Sequence, residues 1–237
     1  MLAQSVARGG EAMERRGLHR WDLSPKEAVR VQRELSERLI LSWDNRKVTS
    51  VAGVDVSVKA GRARAAIVVL GFPGLEPIEA STSETTVAFP YIPGLLTFRE
   101  GPVILAAWRT LNRKPDLLLF DGQGIAHPRR MGLAAHVGLW LDRPSIGVAK
   151  SKLHGHYQEP GPDRGDVATL HDEKDPGRVI GAVLRTRARV SPLFISPGHR
   201  IDAQRAVEFT LACCTSYRLP ETTRWAHRIA GGEHLPA

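Results

Sequence analysis

The segment that most restricts the fold is Leu117-Leu118-Leu119-Phe120, four consecutive apolar residues closed by Asp121. A strand with one wet face alternates apolar and polar residues. An unbroken run therefore reads as a strand covered on both faces, the situation found in parallel sheets flanked by helices. Upstream lie three β-rich runs, residues 51–58, 64–70 and roughly 77–87, separated by Lys59-Ala60-Gly61 and Pro73-Gly74, which predict an antiparallel meander. Downstream, a helix over 131–141 and a strand over 145–149 complete a βαβ unit with the apolar run.

The remaining elements follow from caps and spacing. Ser24-Pro25-Lys26-Glu27 has the form of a capping box with Pro at the first helical position, and Ala28, Val31, Leu35 and Leu39 recur at helical spacing, predicting a first helix that ends near Trp43. A helix is expected over 97–111, two strands over 179–185 and 193–196, and helices over 202–215 and 221–230. Residues 155–178, rich in Gly, Pro, Asp and Glu, read as a variable surface excursion. Three antiparallel strands followed by alternating helix and parallel strand is the order of an α/β, ribonuclease H-like mixed sheet flanked by helices. The first and fourth strands of such a sheet are neighbours, which would set Asp55 beside Asp121. Residues 1–20 lack a continuous apolar stretch of the secretory kind and are expected to be a tail, with 21–237 forming one domain.

Composition narrows the classes. Hydrophobic residues at 42% and charged residues at 24% suit a packed core and exclude general disorder. No stretch is long and apolar enough to span a membrane. The only cysteines, Cys213 and Cys214, are adjacent and unsuited to an ordinary bridge, which fits a reducing, cytoplasmic setting; a monomer is expected. Lys and Arg outnumber Asp and Glu by 33 to 25, a formal charge of +8, as expected of a phosphate-backbone binder but also found in basic proteins that bind no nucleic acid.

Chemistry is signalled by acids in costly places. An ionised Asp55 between Val54 and Val56 must be paired or bound to a metal. Alone it is equally read as bonded to a loop or an Arg, and Asp121 before Gly122-Gln123-Gly124 as a turn former. Together with Glu100 from the helix after the meander, they make an oxygen-rich set suited to Mg²⁺, with Mn²⁺ as a substitute. Glu100 by itself is equally an exposed helical residue. After Asp121 come Gly122, Gly124, Ile125, His127, Pro128, Arg129 and Arg130, where glycines admit close backbone approach and arginines can fork onto phosphate. Lys150, closing its strand, either holds a phosphate near the metal or caps the strand.

Five segments in order then carry a specific resemblance. Val51-Ala52-Gly53-Val54-Asp55-Val56, Pro90-Tyr91-Ile92-Pro93-Gly94 with Phe98-Arg99-Glu100, Asp121-Gly122-Gln123-Gly124-Ile125-Ala126-His127-Pro128-Arg129-Arg130, Ile146-Gly147-Val148-Ala149-Lys150, and Pro192 to His199 with Arg218-Leu219-Pro220 and Thr223 to His227 resemble the motifs of the endonuclease V family. The resemblance implies a ribonuclease H-like repair nuclease that recognises hypoxanthine in DNA and hydrolyses the second phosphodiester bond on its 3′ side, leaving the lesion in the nicked strand. It implies that Asp55, Glu100 and Asp121 are metal-site acids, that Lys150 and His227 support catalysis, and that Pro90, Tyr91, Ile92 and Pro93 form a wedge. It also implies a base pocket along the loop from Gly122 to His127. A core-packing Tyr91 and a merely packed His227 remain open. The alternatives are an inosine-specific ribonuclease acting on RNA through the same acids, a catalytically silent nucleic-acid binder, and a junction resolvase, which would lack the Pro-Tyr-Ile-Pro turn.

Overall fold

The computed structural model describes residues 17–235. The expected tail falls largely outside the described residues, but packing begins early: Leu18 joins the core and His19 meets His136, Nε2 to Nε2, at 2.7 Å. Eight strands form one sheet in the order β3-β2-β1-β4-β5-β8-β7-β6. The meander β1 (Ser50–Lys59), β2 (Arg62–Gly71) and β3 (Pro77–Thr86) is antiparallel. β1 pairs in parallel with β4 (Leu117–Phe120), and β4 with β5 (Ser145–Ala149). The parallel part ends there, because β8 (Leu193–Pro197), β7 (Val179–Leu184) and β6 (Val167–His171) continue the sheet antiparallel.

The apolar run behaves as its composition demands. Leu118 and Phe120 pack with helices α2 (Leu96–Thr110) and α3 (Leu133–Leu141), while Leu117 and Leu119 pack in the other layer with α4 (Ala203–Ala212) and α5 (Glu221–Ala230). Alternate side chains of one strand thus feed two cores, which fixes β4 at the centre and sets its register against β1.

Three departures from the sequence reading have a visible physical cause. Helix α1 (Pro25–Ser36) starts with the expected capping box but stops well before Trp43. Leu39 still reaches the core, from non-helical backbone, because the Ile40 amide bonds His199 Nδ1 at 3.3 Å and its carbonyl accepts the Arg200 amide at 2.6 Å in place of a helical ladder. The excursion at 155–178 contains β6, held to β7 and anchored by fully buried Leu170. Helix α3 begins at Leu133 rather than Met131, since the Gly132 amide is taken by the Gly124 carbonyl at 3.0 Å.

Candidate active site

The parallel register brings Val54 of β1 opposite Phe120 of β4, and the Asp121 amide donates to the Val54 carbonyl at 3.2 Å. Asp55 and Asp121 therefore stand side by side where the two strands part. Helix α5 crosses β1 at Gly53, where a Cβ would lie 1.9 Å from the Thr222 carbonyl oxygen, so only a bare α-carbon lets the helix lie this close. One and a half turns on, His227 Nδ1 sits 2.8 Å from Asp55 Oδ2. Just past the end of β5, Lys150 Nζ donates to Asp121 Oδ2 at 2.5 Å.

Asp55, Asp121 and His227 each offer one ligand atom, and these atoms lie within 4.8 Å of one another. Glu100, expected as the third member, is not in this tight set. It lies on α2, 9% exposed, and its carboxyl is pushed up to about 8, first by burial and then by the negative charges of Asp55 and Asp121. Its charge is thus coupled to both strand acids. The donor set fits a divalent cation: two neighbouring carboxylates with a third forced towards neutrality are a concentration of negative charge that a hard cation relieves, and carboxylate oxygens are its preferred ligands.

A cavity of about 350 Å³ adjoins this centre and shares Asp121 and Lys150 with it. Tyr91, Ile92, Pro93 and Gly94 form one wall, Gly122, Gln123, His127 and Met131 another, and Ala149 to Leu153 a third. Tyr91 is 70% exposed, which removes the core-packing reading, whereas Ile92 also packs with Phe89, Leu95 and Phe98 and anchors the turn.

The structure does not bring every expected residue to the cavity. Pro90, Gly124, Ile125 and Arg129 do not line it. Gly124 is pressed against β8 and its amide donates to Ser196 Oγ at 2.8 Å, while Ile125 is buried in the core. Arg129, expected on phosphate, donates through Nε to Gln32 Oε1 at 2.6 Å and through Nη2 to the Gly94 carbonyl at 2.8 Å. His127 has both ring nitrogens committed. Its Nδ1 accepts the Arg129 amide at 3.1 Å, so Nε2 carries the proton and donates to the Gly94 carbonyl at 2.9 Å. Burial, then the Arg129 charge, push this imidazole down to about 4 and keep it neutral. Residues that the sequence reading missed include Ser151, Lys152 and Leu153 on the cavity wall, which carry no local signal, and Gln32, whose signal was an amide set within the apolar stripe of α1.

A ribonuclease H-like sheet with acids at the parting of its first and fourth strands, beside a cavity roomy enough to admit a nucleobase, defines a nuclease. The profile of the endonuclease V family matches residues 33–228, and the chain belongs to that family. Endonuclease V of Methanothrix thermoacetophila is 51% identical over 92% of this chain and 96% of its own. The crystal structure of endonuclease V from Streptomyces avermitilis superposes with a TM-score of 0.84 at 42% identity, covering 89% of this chain and 93% of that one. Endonuclease V of Ciona intestinalis, in complex with a 24mer DNA containing an inosine followed by a ribo-adenosine, superposes with a TM-score of 0.76 at 26% identity, covering 87% and 95%.

Proposed function

We propose that this protein nicks DNA beside a deaminated base, taking hypoxanthine into the 350 Å³ cavity and hydrolysing the second phosphodiester bond on its 3′ side. The observation that carries the reading is the shared wall: Asp121 and Lys150 belong both to the cavity and to the acidic centre, so a base seated in one brings the strand just beyond it to the other. Asp55 and Asp121, with Glu100 behind them, would hold Mg²⁺, with Mn²⁺ as a substitute, and His227 would support Asp55. A bound cation of this kind neutralises the phosphate and lowers the pKa of the attacking water.

The remaining work falls to the chain's own groups. Lys150 places an ammonium beside Asp121, where it balances the carboxylate and can hold a non-bridging phosphate oxygen as the strand enters. Exposed Tyr91, at the tip of a turn stiffened by Pro90 and Pro93, is suited to enter the stack as the base leaves it, filling the gap at little cost in conformational entropy. Gly122 and Gln123 form the floor against which the base rests. No helix among the described residues is long and apolar enough to cross a membrane, and both cysteines are free and buried. Free thiols fit the reducing, cytoplasmic setting proposed for its action.

The Ciona protein was captured on DNA carrying a ribo-adenosine after the inosine, which keeps inosine-containing RNA as the second reading of the substrate. The test is incubation with matched DNA and RNA oligonucleotides, each holding one inosine, with Mg²⁺ and with EDTA. The wild type should nick the DNA at one site in Mg²⁺ alone, and Asp55→Asn and Asp121→Asn should fold normally and fail to cut. Preferential cutting of the RNA would move the assignment to the ribonuclease. Normal turnover by either Asn variant would remove the metal centre from the mechanism.

A further inference from the structure

We propose that Gln32, on the buried face of α1, is a positioning residue that fixes the turn from Pro90 to Gly94 against the cavity and thereby sets how well the protein opens a stacked base step. The inference rests on the reading of that turn as a wedge. Gln32 lies one residue before the stretch that the family profile matches.

Gln32 is 1% exposed and occupies the same helix face as Ala28 and Leu35, where a primary amide is costly unless it is fully bonded. Its bonds run to both walls of the cavity. Nε2 donates to the Gly94 carbonyl at 2.9 Å and to the Met131 carbonyl at 3.0 Å, and Oε1 accepts from Arg129 Nε at 2.6 Å. Gly94 closes the wedge turn, and Met131 ends the loop opposite. One side chain thus fixes the separation of two cavity walls from behind.

The Gly94 carbonyl is the point of convergence. It accepts from Gln32 Nε2, from His127 Nε2 at 2.9 Å and from Arg129 Nη2 at 2.8 Å, three donors on an oxygen with two lone pairs. Two of the three come from the loop after β4 and one from α1, so Gln32 is the only one of them that ties the turn to a helix. The turn can adopt this form because Gly94 has φ +79°, and a Cβ there would lie 2.7 Å from Arg129 Nη2. An amide serving helix packing alone would not need partners on two cavity walls.

The experiment compares nicking of one hypoxanthine in duplex DNA with nicking of the same strand alone, where bases are already unstacked and a wedge has little to do. The variants are Gln32→Met, Tyr91→Ala and the pair together, with melting temperature measured for each. Gln32→Met should raise KM on duplex about tenfold, the order expected for loss of one or two hydrogen bonds, with less change in kcat. Its duplex-to-single-strand ratio should fall, and it should add little to Tyr91→Ala, since both act on one device. An unchanged ratio in Gln32→Met beside a lowered ratio in Tyr91→Ala overturns the positioning role and leaves the wedge standing. Fully additive losses overturn it as well. An unchanged ratio in Tyr91→Ala removes the wedge and the Gln32 proposal with it. If Gln32→Met melts below the assay temperature, Arg129→Met, at a half-buried position, breaks the same convergence, and an unchanged ratio there overturns the proposal.

Discussion

His227, in the last turn of α5, bonds Asp55 through Nδ1 and Oδ2 at 2.8 Å across 172 positions of sequence. An ionised carboxylate only accepts, so Nδ1 is the donor of this pair, and a neutral imidazole so bonded keeps its Nε2 lone pair for a water or a cation. Supporting partners of this kind typically govern metal affinity or activity by about 10- to 100-fold. His227→Ala should therefore raise the Mg²⁺ concentration needed for half-maximal nicking by that order, with activity recovering at high Mg²⁺. A magnesium titration of the variant checks this, and an unaltered curve would place His227 outside the centre.

Gly53 controls the same contact from beneath. Its Cβ would fall 1.9 Å from the Thr222 carbonyl oxygen and 2.9 Å from the Thr223 amide nitrogen, both backbone atoms that no rotamer change can clear. Gly53→Ala should push α5 away from β1, costing about 1 to 3 kcal/mol as overpacking usually does. It should also separate His227 from Asp55, so nicking per folded molecule should fall along with the melting temperature. A stability loss with unaltered specific activity would show that α5 can shift without disturbing the acids.

Glu100 links the metal to pH. Its folded-state pKa of about 8 lies above the ordinary carboxyl value of 4.5, so the folded protein keeps this proton where the unfolded chain gives it up. The protonated carboxyl's contribution to stability is present in full below about 4.5 and is lost as pH rises to about 8. In EDTA, melting temperature should decline over that window, and Glu100→Gln should flatten the decline. Cation binding near neutral pH should release a proton in the wild type and less in the variant, as calorimetry in buffers of different ionisation enthalpy would report.

His127 has the opposite sign. Its pKa falls from 6.5 to about 4 on folding, so its contribution is complete above 6.5 and is lost as pH drops towards 4. Protonation also puts a proton on Nδ1, which then cannot accept the Arg129 amide. Wild-type stability should fall with acid over this interval, and the fall should be smaller in His127→Gln. Buried His136, lowered more strongly by burial, titrates in both proteins and cancels in the comparison. Equal slopes would mean that His127 carries no linkage.

The meeting of Asp55 and Asp121 was legible because an unbroken apolar run has one stable environment, and the meander before it leaves one neighbour for the first strand. The bonding of Arg129 was not legible. A guanidinium after Asp-Gly reads as a phosphate fork, and nothing local announces that a turn 35 residues earlier will offer it a carbonyl. That His227 rather than Glu100 joins the tightest set was legible only through the family resemblance, since α5 reaches β1 through a missing Cβ rather than through any pattern in its own residues. Strand β6 was lost among glycines and prolines, its one buried anchor, Leu170, being too little to mark a strand.

Helix α5 follows every other described element, yet it covers β1, among the first to be made. A chain still on the ribosome, or one clipped ahead of residue 221, would hold both aspartates with neither the helix that seats their imidazole partner nor the layer that keeps β1 dry. Synthesis past residue 230 thus comes before assembly of the centre: the two aspartates meet His227 only once this helix has closed over the first strand.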